Sequence, residues 1–223
     1  MKKEKKIKRT QTIGEQVANS ISHGVMALFG IVAMIFMIIR ANNGWELAAS
    51  IIFGMSIFIL YIMSTLYHAL SFTKARDLFK RFDHLSIYIL IGGTFAPALL
   101  LLEPLRNQDF LGMGIIDTGL ALFIIQWTLI GIGVVLKSIW VHRFQKLHIV
   151  LFLLLGWSAV IFIVDLYSVS IPAFWLMLAG GIAYTIGVVF YSLSKYKYLH
   201  FIWHLWVALG TILQFIAIYL YLL

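Results

Sequence analysis

His200 and His204 are four residues apart, so on a helix both imidazoles leave the same face, one turn apart. Two rings so placed can hold one metal ion. HExxH zinc enzymes use the same spacing, but here Phe201, Ile202 and Trp203 lie between and supply no general base. His68 can bring a third nitrogen from another helix. Three protein ligands with an open fourth position is the pattern of catalytic zinc. Asp83 is then either a fourth ligand or the partner of a zinc-activated water, whose pKa falls to about 7 and which attacks a carbonyl. In the second case Asp83 takes the proton as general base. Ser64, one turn before His68, can hydrogen-bond the water or a developing oxyanion. Three histidines and a carboxylate suit zinc.

Each residue also has a plainer reading. The HxxxH pair can be two amphipathic residues at a membrane interface, where Trp203 and Trp206 would also sit. His68 alone can be a hydrogen-bonded interfacial histidine, and Asp83 can cap a helix N-terminus. His84 points about 100° away from Asp83 around a helix and stays out of the set. His142 and His148 lie near a basic connection and are expected to be solvated or interfacial. Glu15, Asn19 and His23 share one face of a first helix and are assigned a supporting or packing role. Gly92, Gly93, Gly180 and Gly181 are expected at close helix approaches, and Pro97 at a kink in a third helix.

The elements that must position these residues cross a membrane. Of the 223 residues, 62% are hydrophobic and 12% charged, and the mean hydropathy is +0.96. That is too apolar for a soluble core and fits a surface facing lipid. Apolar runs near Ile21–Ile39, Leu47–Leu70, Leu85–Leu102, Ile115–Leu136, Leu147–Val164, Ile171–Leu193 and Phe201–Leu223 approach the roughly 20 residues that span a bilayer. The fifth is the shortest. Continuous runs of this length exclude barrel strands, and backbone groups in hydrocarbon must pair internally, so the class is all-α with seven transmembrane helices. Residues 1–20 read as a basic cytoplasmic tail and the start of the first helix, and 21–223 as one seven-helix domain. With no cysteine, disulfides, thiolate metal sites and cysteine nucleophiles are excluded.

All but Arg40 and Arg106 of the 17 Lys and Arg residues fall in the tail or the even-numbered connections. The tail and those connections are therefore expected to be cytoplasmic, and the C-terminus outside. The net charge of +8 is a topology signal, with anionic lipid as its expected contact and no nucleic acid. The first, third and seventh helices then start, and the second ends, on the cytoplasmic side. This puts the Glu15 set, Ser64 and His68, Asp83, and His200 and His204 at one depth.

GEQVANSISHG at Gly14–Gly24, STLYH at Ser64–His68, FDHLSIYILIGGTFAP at Phe82–Pro97 and HFIWH at His200–His204 together resemble the bacterial hemolysin III family. That family is related to the progestin and adiponectin receptors and to a wider group that includes alkaline ceramidases. The resemblance covers about Gly14 to Leu223. It implies a seven-helix plasma-membrane protein with zinc near the cytoplasmic face, held by His68, His200 and His204, with Asp83 and Ser64 matching the family aspartate and serine. It further implies hydrolysis of lipid amides, with membrane lipid as substrate. The alternative is a receptor-like or lytic membrane protein in which zinc is structural. Oligomeric state and substrate identity are not legible here. The orientation has a direct test: alkaline phosphatase fused after Leu223 is expected to be active at the cell surface, and the same fusion after Lys74 inactive.

Overall fold

The computed structural model describes residues 10–140 and 143–223; the basic tail at 1–9 and His142 lie outside these. Seven helices are long and apolar enough to cross a membrane: α1 (Ile13–Arg40), α2 (Gly44–Ala69), α3 (Arg76–Leu101), α4 (Thr118–Ile139), α5 (Gln145–Val169), α6 (Ile171–Ser192) and α7 (Leu199–Tyr221). No strand occurs among the described residues. Neighbours in sequence pack in pairs, α1 on α2, α2 on α3, α3 on α4 and α6 on α7, and α1 packs on α7 to close the bundle.

Two helices begin earlier than their apolar runs. α1 starts at Ile13 because Thr12 and Glu15 form a capping box: the Thr12 hydroxyl accepts from Glu15 N, and the Glu15 carboxylate accepts from Thr12 N. α3 starts at Arg76, nine residues before Leu85. Asp83 therefore lies about two turns inside a helix, which removes the N-cap reading. Hydropathy marks the part of a helix that sits in hydrocarbon, and these helices continue beyond it. α3 also runs through Pro97 to Leu101.

α5 is irregular. Its α-helix stops at Gly156, passes through a 3-10 stretch at Ser158–Phe162, and resumes over Ile163–Val169. It is the least buried span, with 11% of its most apolar stretch inside the protein against 67% for α3. α5 stands off from its neighbours, and a cavity of about 240 Å³ occupies the gap between α3, α5, α6 and α7.

Exposed Ile, Val, Leu and Phe cover the outside, while Ser56, Thr94, Thr211 and Gln214 are buried. Hydrocarbon offers polar groups no partners, so Ser56 and Thr94 bond carbonyls of their own helices and Thr211 and Gln214 reach neighbouring ones. The Thr211 hydroxyl on α7 meets the Tyr61 hydroxyl of α2 at 2.8 Å and the Tyr184 hydroxyl of α6 at 2.9 Å. At the end opposite the histidines, Arg106 pairs with Asp117 at 2.8 Å and lies over the Trp45 ring. Asp117 also caps α4 through Leu120 N.

Gly93 faces Ser56 and the Ile52 carbonyl of α2, Gly92 faces Trp127 and Ile130 of α4, and Gly180 faces Gln214 of α7. At Gly181 an added Cβ would reach only Trp157 at 4.0 Å, ordinary contact, so the expected close approach there is absent. Gly93→Leu is expected to cost about 1–3 kcal/mol by overpacking, and Gly181→Ala to stay within about 0.5 kcal/mol of wild type. Thermal unfolding of the purified protein in detergent measures both.

Candidate metal centre

The end of α2 and the start of α7 meet beside the start of α1. A ring nitrogen from each of His68, His200 and His204 lies within 4.8 Å of the others. The ring centroids are 5.2 Å apart for His68 and His200, 5.1 Å for His68 and His204, and 4.8 Å for His200 and His204. His68 and His204 are fully buried.

The hydrogen-bond pattern says what the three rings are prepared for. Nε2 of His68, of His200 and of His204 is buried without a partner among the described residues. Such groups are rare in folded interiors, because each forfeits its hydration for nothing. His68 Nδ1 meets Gln16 Oε1 at 2.7 Å. An amide oxygen only accepts, so Nδ1 carries the proton and Nε2 keeps its lone pair. This is how metal-ligating histidines are oriented. His204 Nδ1 lies 3.4 Å from Ser22 Oγ, again leaving Nε2 for the interior. A tetrahedral Zn–N set has nitrogens about 3.3 Å apart, within a small side-chain rotation of the separation here. The donor set fits a zinc ion.

Glu15 positions α7. Its carboxylate accepts from Tyr198 N at 2.9 Å as well as from the backbone and hydroxyl of Thr12. Tyr198 has φ 62° and immediately precedes α7. A left-handed tyrosine is uncommon, and the buried carboxylate holds the turn from which His200 projects. The expected supporting role of Glu15 thus takes a definite form. Asn19 donates to Gln11 Oε1 at 3.2 Å.

His23 lies closer to the centre than its supporting assignment implies. Its ring stacks on His204 with centroids 3.5 Å apart and 13° between planes, and meets the Tyr61 ring edge-on. Both its nitrogens are buried without partners, and it lines the cavity. Sequence reasoning passed over Gln16, Ser22 and Tyr198. For Gln16 a signal was present: it shares a stripe of polar residues with Asn19 and His23 on an otherwise apolar helix.

Asp83 is buried and lines the cavity, but does not join the close group of ligand atoms. Ser64 lies beside its carboxyl, and Ser64 Oγ has no hydrogen bond of ordinary geometry. Asp83 is within electrostatic reach of Tyr67, whose ring packs on His68, and of Tyr191, whose ring is 6.2 Å from His200. His84 turns to the Lys80 carbonyl instead, at 2.7 Å. His148, expected at a wet surface, is 2% exposed and bonds the Tyr88 hydroxyl at 2.8 Å. The expectation failed because α5 turns that residue inward against α3.

The cavity's polar end is lined by Asp83, His23, Tyr191 and Trp203, and the rest of its wall is mainly apolar. His23 and Trp203 both pack on His204, so they separate the triad from the cavity by one layer of rings.

The Haemolysin-III related family model matches residues 11–215. The chain belongs to the haemolysin III-related family. It is similar to the Bacillus subtilis hemolysin-3 homolog, at 37% identity over 94% of this chain and 95% of the relative. It is similar to hemolysin-3 of Bacillus cereus, at 36% over 99% and 97%. The human monocyte to macrophage differentiation factor is 26% identical over 95% of this chain and 86% of its own. Family membership and seven apolar helices make this haemolysin III-related chain a multi-pass membrane protein, in a bacterium of the cell membrane. Removing the Gln16 acceptor is expected to loosen the His68 ring that it orients. Gln16→Ala is expected to weaken metal binding about 10–100-fold, measured by chelator competition on purified protein.

Proposed function

We propose that this protein is a zinc-dependent hydrolase of lipid amides or esters, with its site near the cytoplasmic face. One observation carries the reading: His68, His200 and His204, each with a buried Nε2 left without a partner among the described residues, bring ring nitrogens together one layer of rings away from an apolar cavity whose wall holds Asp83. His68, His200 and His204 would hold the ion through those nitrogens. Zinc, when bound, supplies a Lewis acid that brings the ionisation of water toward neutral pH and polarises a carbonyl.

The chain's own residues do the rest. Asp83 accepts the proton of the attacking water on a carboxylate oxygen and returns it to the departing amine or alkoxide, as one group serving as base and then acid. The Ser64 hydroxyl, beside Asp83 and without another partner, donates to the oxygen on which charge develops. Gln16 holds the His68 ring, and Glu15 holds the turn before His200. The apolar cavity takes up a hydrocarbon chain and keeps bulk water from the reacting carbonyl. The gap at α5 provides a path from the lipid.

Asp83→Asn separates this reading from one in which the metal only ties α2 to α7. The variant is expected to keep its metal stoichiometry and melting temperature while losing at least about 100-fold in turnover. His204→Ala is expected to lose both metal and turnover. Assays of purified, zinc-loaded protein with short-chain lipid amides and esters, alongside elemental analysis, read the two variants. Full turnover in Asp83→Asn, or wild-type protein without metal, overturns the proposal.

A further inference from the structure

A second cavity lies between α3, α4 and α5, on the other side of α5 from the main one, and the two share no lining residue. Its volume is about 80 Å³, several times the roughly 10–15 Å³ that holds one water. Ile125 and Leu129 of α4 and Ile161 of α5 line it and are also exposed on the outside of the bundle. The cavity therefore opens between α4 and α5 toward lipid. Gln126, on its wall, lies about 12 Å along α4 from Thr118, well inside a span of 22 residues.

Gln126 is 6% exposed, and neither its amide nitrogen nor its amide oxygen has a hydrogen-bond partner among the described residues. Glutamines in hydrocarbon bond across helices. Gln214 does so, giving its Nε2 to the Met177 carbonyl at 3.0 Å. Gln126 meets a cavity instead. Ser158 is the other polar residue of the wall. Its hydroxyl donates to the Leu155 carbonyl at 2.7 Å, so its Oγ is left only to accept. The cavity thus presents one amide donor group and two acceptor oxygens, Gln126 Oε1 and Ser158 Oγ. The opening faces hydrocarbon, so the occupant is a molecule dissolved in the membrane. An ester offers acceptors only, and an alcohol donates once. A primary amide offers one carbonyl and two N–H donors, the complement of this wall, and it carries no charge into the bilayer.

We infer that Gln126 and Ser158 form a binding site for a long-chain primary amide taken up from the membrane. Its carbonyl accepts from Gln126 Nε2, and its two N–H groups donate to Gln126 Oε1 and Ser158 Oγ. Its chain leaves through the opening between α4 and α5. The site touches the break in α5, because Ser158, Ile161 and Phe162 all belong to the 3-10 stretch. Phe162 packs edge-on against Phe95, with centroids 5.9 Å apart, and Phe95 lines the main cavity. The bound amide therefore ties α4 to the part of α5 that backs the main cavity. The inference does not depend on a metal at the triad or on hydrolysis.

The test is photolabelling of the full chain in phosphatidylcholine nanodiscs by a dodecanamide that carries a diazirine near its head, with the label located by mass spectrometry. Label is expected on residues 122–129 and 155–162. Dodecanamide is expected to compete for it at least about tenfold more strongly than methyl dodecanoate or dodecanol, which leave acceptors of the wall unpaired. In Gln126→Met the label is expected to fall about tenfold, with unliganded Tm at or above wild type, because an unpaired buried amide has been removed. If Gln126→Met does not fold, Leu129→Trp at the exposed opening is expected to block the label to the same extent. No label on these residues, equal competition by the ester or the alcohol, or undiminished label in a folded variant overturns the inference.

Discussion

Hydrocarbon accepts no hydrogen bonds, and this constraint orders the whole molecule. In the spans backbone groups must pair within their helices, and side-chain donors and acceptors must look for partners inside the bundle. Tyr61, Thr211 and Tyr184 answer the requirement directly, three hydroxyls in a chain across α2, α7 and α6. Several buried polar atoms lack a partner among the described residues, and those of His68, His200 and His204 differ from the rest in belonging to three rings whose nitrogens converge. In water the same nitrogens would simply be hydrated and carry no message.

The site is built by fastening helix ends. Glu15 joins the first turn of α1 to the left-handed Tyr198 before α7, and Gln16, one residue on, reaches the His68 ring at the end of α2. Two adjacent residues of α1 therefore hold both helices that carry the triad, α2 and α7. His23, two turns further along, stacks on the third ring. The first helix contributes no proposed ligand, yet it holds the geometry of all of them. Polar residues that look superfluous at the start of α1 are in this sense the frame of the centre.

α5 is built on the opposite plan. It is broken by a 3-10 stretch, stands away from its neighbours, and leaves an apolar cavity where the other helices interlock through glycines and small side chains. The firm part of the bundle carries the triad and Asp83, and the loose part forms the chamber beside them. Under the proposed hydrolysis of lipid amides or esters, the interlocked helices would hold the reacting groups and the cavity beside α5 would take the hydrocarbon chain. The haemolysin III-related family, to which this chain belongs, is matched from residue 11 to 215, so the match takes in both parts.

Seven spans were legible from apolar run length alone, because the bilayer demands about 20 residues per crossing whatever the tertiary packing. The candidate triad was also legible, since the alternation of spans puts His68, Asp83, His200 and His204 at one level. Helix starts were not: Thr12 and Glu15 extend α1, and Arg76 opens α3, through polar residues that hydropathy passes over. Nor could the sequence show that Asp83 lies on the cavity wall apart from the ligand group, that Gln16 orients His68, or that His148 turns inward to Tyr88. Those facts depend on the rotation of each helix about its axis. Rotation is decided by side-chain packing between neighbours, which one-dimensional spacing leaves free. The sequence by itself determined how many times the chain crosses and which residues share a depth. The tertiary structure alone decided which of them face one another.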